Sequence, residues 1–356
     1  MIVPHYRPSF SSREITAVRE VIDSGYIAQG KRVAELETTL AEFVEKEFGV
    51  AVSSGTTALI LALKALKVSS GDEVIIPAYT CTALWHAVKA VDGVPVFADI
   101  ETKYWNLDPD DVKRKITPKT KAVIFPHMFG QPGRIQEVSD LGIPVIEDIA
   151  QSIGAQIDGR PVGTFGAVSI GSFYATKVIG AGEGGIIFSD EKTDDNYLRD
   201  IREYDEKETL TPRINAKMND ITATIALEQL RKLPEFTARR NKILAKYESV
   251  LKDQILIPVR DSGFQSNLYR CIISLPEKTA AELIQMSKGY GITLRKPVYK
   301  PIHTYFDGYD LKNTESAWKK QVSIPIFPDM TDFETETVIN FLKLIFGEPC
   351  LRTTCR

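Results

Sequence analysis

The sequence predicts an α/β fold, with a large domain built on a mostly parallel sheet covered by helices on both faces and a smaller α+β domain at the C-terminal end. Three observations predict it. Between residues 51 and 188, short apolar runs of strand length alternate with helical stretches, the pattern of strands joined through crossover helices. After Phe188 the alternation yields to longer helical periodicity over 220–230 and 235–250, and a mixture of strands and helices follows. The chain has 356 residues, and 43% of them are apolar, enough for one large core and a second smaller one. The division falls near residue 240, giving a large domain over 1–240, N-terminal helices included, and a small one over 241–356.

Each element has a local cause. Ser11-Ser12-Arg13-Glu14 is a capping box that opens a first helix, and Ser24-Gly25 closes it. An amphipathic stretch over 32–48 makes a second helix. A short strand over 51–53 turns through Ser54-Gly55 into an apolar helix over 58–66. Strands follow at 74–76, 95–98, 122–125 and 145–146, with helices over 82–91 and 109–116; the latter starts on Pro109, which suits a first helical position. Residues 167–173 form a further β-rich segment. In the last third, 268–275 and 292–294 carry strand signals, and 279–288 and 332–346 carry helix signals. No internal repeat or low-complexity linker separates the two parts, so they pack closely.

A formal net charge of −3 and a pI near 6.0 argue against an electrostatic nucleic-acid or membrane binder. The longest apolar stretches, such as 58–63, are far shorter than a membrane span, and the first seven residues lack a signal peptide's apolar centre. A soluble, cytoplasmic protein is expected. The four cysteines, Cys81, Cys271, Cys350 and Cys355, form no CxxC pair, and the four histidines show no zinc spacing, so no metal is expected. A chance disulfide between Cys350 and Cys355 would carry no catalytic meaning.

Chemistry enters with Ser172-Phe173-Tyr174-Ala175-Thr176-Lys177 and the run Gly180-Ala181-Gly182-Glu183-Gly184-Gly185. A lysine between a strand and a glycine-rich turn is held rigidly, as an imine-forming lysine must be. Upstream, the apolar strand Val145-Ile146-Glu147-Asp148 ends in a carboxylate, and α/β sheets place ligands at the carboxyl ends of their strands. A carboxylate facing a pyridinium nitrogen and a lysine forming a Schiff base are the protein half of pyridoxal phosphate chemistry. The phosphate then needs a site. Ser53-Ser54-Gly55-Thr56-Thr57 supplies a helix N-terminus whose free amides and dipole suit a dianion, and hydroxyls of Thr56 and Ser172 complete the cradle. Lys177 forms the Schiff base, yields it to an incoming amine and moves a proton between the substrate carbon and the cofactor. An unperturbed lysine, with a pKa of about 10.4, stays mostly protonated at neutral pH; imine formation and burial remove that obstacle. Each feature alone also has a plainer reading, as surface lysine, strand-end carboxylate or helix cap. Their appearance in series carries the assignment.

Along nearly its whole length the chain resembles the DegT/DnrJ/EryC1/StrS family of sugar aminotransferases. The matching pieces, in order, are Ser24-Gly25-Tyr26, Ser54-Gly55-Thr56-Thr57-Ala58-Leu59, Asp72-Glu73-Val74-Ile75-Ile76-Pro77, Pro95-Val96-Phe97-Ala98-Asp99-Ile100, Asn106-Leu107-Asp108-Pro109 and His127-Met128-Phe129-Gly130-Gln131-Pro132. They continue through Glu147-Asp148-Ile149-Ala150-Gln151, the Lys177 segment, Asn215-Ala216-Lys217-Met218 and Ser323-Ile324-Pro325-Ile326-Phe327-Pro328.

The resemblance implies a fold type I pyridoxal phosphate enzyme with a sheet of the seven-stranded type. It implies catalysis by Lys177 and Asp148, with the cofactor held by Gly55, Thr56, Cys81, Asp148, Gln151, Ser172, Lys177 and Asn215. Gln151 would lie near the ring hydroxyl. Asn215 would reach the phosphate of a neighbouring subunit, which implies a homodimer with a shared active site. Lys217 and His303 are the substrate candidates, His303 from the proline-rich segment near the family's sugar-nucleotide pocket. The implied reaction moves an amino group from an amino acid, glutamate by resemblance, through pyridoxamine phosphate to a keto group of a nucleotide-linked sugar; the Glu183-Gly184-Gly185 form leans towards a 4-keto acceptor. Three positions depart from the family pattern. Cys81 stands where an aromatic usually stacks on the ring, Lys217 where arginine is frequent, and Asn267 where histidine is frequent. Two other readings stay open: a sugar dehydratase of the same fold, a class that typically carries histidine in place of the lysine, and a non-catalytic regulatory protein that binds the cofactor.

Overall fold

The Ser11 hydroxyl accepts the Arg13 amide while Glu14 takes the Ser11 amide, so the capping box opens α1 (Ser12–Ser24), and Gly25 closes it at φ 75°. These features come from a computed structural model, which describes residues 2–251, 254–275 and 279–346. The next helix, α2 (Lys31–Phe43), ends earlier than its periodicity predicts. Glu45 takes a φ of 53° and the Lys46 amide returns to Ala41 O at 2.9 Å, so the chain leaves the helix and starts β1 (Phe48–Val52). Phe48 continues the helical spacing of Leu40 and Val44 by coincidence; strand pairing, not helical burial, decides its state.

Alternation follows through α3 (Gly55–Ala65), β2 (Glu73–Pro77), α4 (Ala83–Ala90), β3 (Val94–Ala98), α5 (Pro109–Lys115), β4 (Thr120–Pro126), α6 (Ile135–Ser139) and β5 (Val145–Asp148). The short β6 (Gln156–Ile157) and β7 (Arg160–Pro161) precede β8 (Val168–Ser172) and β9 (Gly185–Ser189). Seven of these strands form one sheet in the order β1-β9-β8-β5-β4-β2-β3. Only β9 runs against the rest, so six strands direct their carboxyl ends to one edge. Both faces are covered. Ile75, Val123 and Phe125 enter one core, while Val74, Ile76, Ala122 and Ile124 enter another on the opposite face, which is why these strands read as continuous apolar runs.

Helices α7 (Lys192–Ile201), α8 (Asp220–Arg231) and α9 (Leu233–Leu251) come next. The first was not legible as a separate helix, since KTDDNYLRDI is mostly polar and buries only one side. Leu233 packs in the large core, whereas Ile243, Leu244 and Tyr247 of the same α9 pack in a third core with Ile273, Val322 and Phe341. That core holds the sheet of β10 (Ile255–Ile257), β12 (Cys271–Ser274) and β13 (Gln321–Ile324), with α10 (Ala280–Gly289) and α12 (Asp332–Phe346), while α11 (Lys312–Lys320) turns Ala317 into a fourth cluster with Tyr79, Phe129 and Ile272; the small β11 (Phe264–Gln265) pairs instead with β6. Two segments cross the expected division. Val3 donates to Gly291 O at 2.8 Å and accepts from the Thr293 amide at 3.0 Å, placing the N-terminus in the third core. Ile302 and Leu311 pack with the large sheet, where Asp99 takes the Asn313 and Thr314 amides at 3.0 and 2.8 Å. The strand expected at 292–294 is absent: Ile292 makes an isolated bridge to Val3, and Arg295 just beyond makes one to Ser323. Cys81 and Cys271 are unpaired; Cys350 and Cys355 lie outside the described residues. Among the described residues no helix is long and apolar enough to cross a membrane.

Candidate active site

The carboxyl edge of the sheet gathers residues from four distant stretches of sequence. At the start of α3 the Ser54 hydroxyl accepts the Thr57 amide at 3.1 Å, and Thr57 Oγ1 lies 2.9 Å from that hydroxyl. The Thr56 amide has no acceptor among the described residues, so the helix presents it at the positive end of its dipole. Gly55 is required here, because a Cβ would stand 2.8 Å from Ser172 Cβ. Gly185 is required for a tighter approach, 2.4 Å from Ser54 O. The Ser53 amide donates to Ala216 O at 2.8 Å, which lays 215–217 beside the same turn and leaves Asn215 exposed.

Lys177 sits on the loop between β8 and β9. The loop is fastened by Phe173 N to Gly184 O at 2.9 Å, Ala175 N to Gly182 O at 2.9 Å and Lys177 N to Tyr174 O at 2.8 Å. The Tyr6 hydroxyl adds a long bond to Lys177 O at 3.4 Å. Lys177 Nζ lies 5.9 Å from the centre of the Tyr269 ring. Sequence reasoning missed Tyr269 as a site residue, although Asn267-Leu268 beside it was singled out. Burial would raise the Tyr269 phenol, but Arg270, Lys177 and a hydrogen bond with Thr176 outweigh it and bring the pKa down to about 8.

Asp148 ends β5 and is buried, with one hydrogen bond, from the Ala150 amide at 2.9 Å. Burial raises its pKa above the ordinary carboxylate value; the Ala150 amide and the charge of Lys177 pull the other way without cancelling it. Its neighbour Glu147 faces the other side of the sheet and is fully served. It accepts the Gly163, Phe165 and Gly166 amides at 2.6, 2.8 and 2.8 Å, and His127 Nε2 lies 2.9 Å away. The Gly133 amide donates to His127 Nδ1 at 3.1 Å, so Nε2 carries the proton and donates to Glu147. Burial alone would raise the Glu147 pKa, but His127 and these amides hold it below the usual value. A carboxyl so depressed stabilises the fold above its unfolded pKa and stops doing so as the pH falls through its folded value. Glu147→Gln sets an amide NH₂ among donors and is expected to cost about 3 kcal/mol at neutral pH. Urea melts across acidic pH check this: the gap between wild type and variant should shrink as the pH drops below about 4.

Gln151 is partly committed, its Oε1 accepting the Phe129 amide at 2.8 Å where Phe129 takes a φ of 63°. Its Nε2 donates one N–H to Met128 Sδ at 3.7 Å and keeps the other for a ring oxygen. Asn267, which replaces the family histidine, is a positioning residue. Its Nδ2 donates to Gln151 O and Ile153 O at 3.1 and 2.9 Å, and its Oδ1 accepts the Tyr269 amide at 2.9 Å.

Three further predicted residues have settings of their own. Cys81 is exposed in the turn before α4. Lys217 is engaged within its own chain, 2.7 Å from Asp205 and 3.8 Å from Glu203, and the bond to Asp205 raises its pKa. His303 is buried, with neither ring nitrogen hydrogen-bonded among the described residues; burial lowers its pKa against the pull of Glu315 and Asp99. Its electrostatic neighbours are thus those two carboxylates and not the Lys177 group. Among the described residues no three His, Cys, Asp or Glu side chains gather as a metal would need.

The residues fit pyridoxal phosphate at both ends. An open helix-start amide beside Ser172 suits the phosphate, and a buried carboxylate with one hydrogen bond, in electrostatic reach of a lysine, suits a protonated ring nitrogen.

Known proteins agree with this geometry. A model of the DegT/DnrJ/EryC1/StrS aminotransferase family matches residues 8–343. GDP-perosamine synthase of Escherichia coli O157:H7 is 30% identical, over 93% of this chain and 94% of its own. Among solved structures, the aminotransferase TlmJ of Streptoalloteichus hindustanus is 29% identical with a TM-score of 0.90, covering 97% of this chain and 98% of its own. Spr1654 of Streptococcus pneumoniae, solved in its PMP form, is 25% identical with a TM-score of 0.90, at coverages of 97% and 98%.

Proposed function

The chain belongs to the DegT/DnrJ/EryC1/StrS aminotransferase family, and from that premise we propose that it transfers an amino group from an amino acid, L-glutamate first among candidates, to the keto group of a nucleotide-linked sugar. It is a pyridoxal-phosphate-dependent aminotransferase. The observation that carries the reading is Lys177, fixed on its loop within electrostatic reach of the buried Asp148. Bound there, the cofactor supplies an electron sink for charge developing at the donor's α-carbon. Lys177 holds the cofactor and then, freed by the donor's amine, carries the proton at Nζ. Asp148 keeps the ring nitrogen protonated. The Thr56 amide and Ser172 anchor the phosphate, and Gln151 Nε2 orients the ring.

The similarity to GDP-perosamine synthase makes a GDP-linked sugar the first acceptor to test, and the Glu183-Gly184-Gly185 turn favours a 4-keto group. A homodimer is part of the proposal, supported by exposed Ile15, Ile22, Tyr26, Ile27 and Leu210 and by Asn215 standing free to reach a partner's phosphate. Cytoplasmic residence rests on the unpaired Cys81 and Cys271.

The test is spectroscopic and then chemical. Protein loaded with the cofactor should be yellow, and glutamate should bleach it. The bleached form should then add nitrogen to one member of a panel of GDP-, dTDP- and UDP-linked keto sugars, seen by mass. Colour that no amino acid changes would instead indicate a binding protein, and loss of water from a sugar without gain of nitrogen a dehydratase. Lys177 itself argues against the latter.

A further inference from the structure

We propose that Arg240 and Arg270, with the hydroxyls of Tyr6 and Tyr269, form the site that holds the amino donor's carboxylate beside Lys177. The inference rests on the amino-transfer reading above and specifies how the donor is recognised.

Arg240 lies midway along α9 and is 1% exposed. Its Nε and Nη1 are buried and have no hydrogen-bond partner among the described residues. Its electrostatic neighbours are Tyr6, Tyr269 and Arg270, with no carboxylate among them. The adjacent Arg239 shows the contrast, since it binds Met330 O and Asp332 at 2.5 and 3.0 Å. Arg270 likewise pairs with no carboxylate among the described residues. One arm donates to His5 Nδ1 at 2.8 Å and the other to the Tyr269 hydroxyl at 3.2 Å, with the guanidinium 4.6 Å from the centre of the Tyr269 ring. Because His5 Nδ1 accepts, its Nε2 carries the proton and donates to Ser323 Oγ at 2.9 Å. His5 therefore contributes no charge of either sign.

Both guanidinium groups thus act on the same two phenols, Tyr6 and Tyr269. Like charges repel strongly where water is excluded, and a buried guanidinium with open donors is costly until an anion meets it. One anion between them removes both penalties, and the planar fork of arginine matches a carboxylate.

Position selects which anion. The phosphate end of the site is at the start of α3, while Tyr6 and Tyr269 flank Lys177 at 3.4 Å from its carbonyl and 5.9 Å from its Nζ. The donor's amine must take the place of Lys177 Nζ. Its carboxylate carbon is two bonds from that nitrogen, on the side of the site where Lys177 Nζ approaches the Tyr269 ring.

The experiment uses the cofactor-loaded enzyme with glutarate, a dicarboxylate that lacks the amine, and with L-glutamate. Binding of glutarate is followed by calorimetry and bleaching by absorbance, for wild type, Arg240→Lys, Arg240→Met and Arg270→Lys. The variants are expected to bind glutarate at least about 30-fold more weakly and to need correspondingly more glutamate for half-maximal bleaching. The advantage of glutamate over n-butylamine, an amine with no carboxylate, should shrink by the same factor. Arg270→Lys carries the test if Arg240→Met does not fold. Variants that bind glutarate as wild type does, in an enzyme that glutamate bleaches, overturn the site alone; this would follow if Tyr269 itself served as the anion. A wild type that no amino acid bleaches overturns the amino-transfer reading and the site with it.

Discussion

Lys177→Ala is expected to leave a folded protein that holds the cofactor without a covalent bond and turns over at least about 10⁴-fold more slowly. The side chain is half-buried on a loop whose backbone bonds do not involve it, so its removal costs the fold little. Two measurements separate this from mere damage. Borohydride should fix the cofactor to wild type and not to the variant, as seen by protein mass, while the variant's melting temperature stays near that of wild type. Normal turnover by the variant would remove Lys177 from the chemistry and with it the functional reading.

Asp148→Asn should also lose activity without losing stability, for a different physical reason. The asparagine oxygen can still accept the Ala150 amide, so the geometry survives. Because burial raises the Asp148 pKa, the charged form is disfavoured in the folded chain, and the cofactor-free protein loses stability as the pH rises through the carboxyl's folded value. The neutral variant escapes that loss and should melt no lower than wild type near pH 7. Activity, in contrast, should fall about 1000-fold, because the ring nitrogen no longer faces a charge. Thermal melts with and without cofactor provide the check: the cofactor should stabilise wild type more than the variant. A variant that is both unstable and active would show that Asp148 serves the fold rather than the ring.

Much of the site was legible because each of its parts has a local cause. A helix cap, a strand-end carboxylate and a glycine-bounded lysine are each written in a short local stretch, and their order along the chain gave them one meaning. The alternating half of the fold was legible for the same reason. What remained hidden depends on long-range contact. Nothing near Phe48 says that β9 will claim it from the helix pattern. Nothing near Val3 announces a bridge to Ile292, and nothing near Lys217 announces that Asp205 will occupy its charge. Tyr269 and Arg240 are ordinary residues in sequence; they become conspicuous only when their surroundings contain cations and no carboxylate.

The first few residues act as a strap across the molecule. Val3 is laced to Gly291 and Thr293 in the C-terminal core, His5 steadies Arg270, and Tyr6 touches the carbonyl of the reactive lysine. A purification tag joined at the amino end therefore loads the segment that touches the Lys177 loop, and cropping that end removes contacts to the C-terminal core and to that loop together.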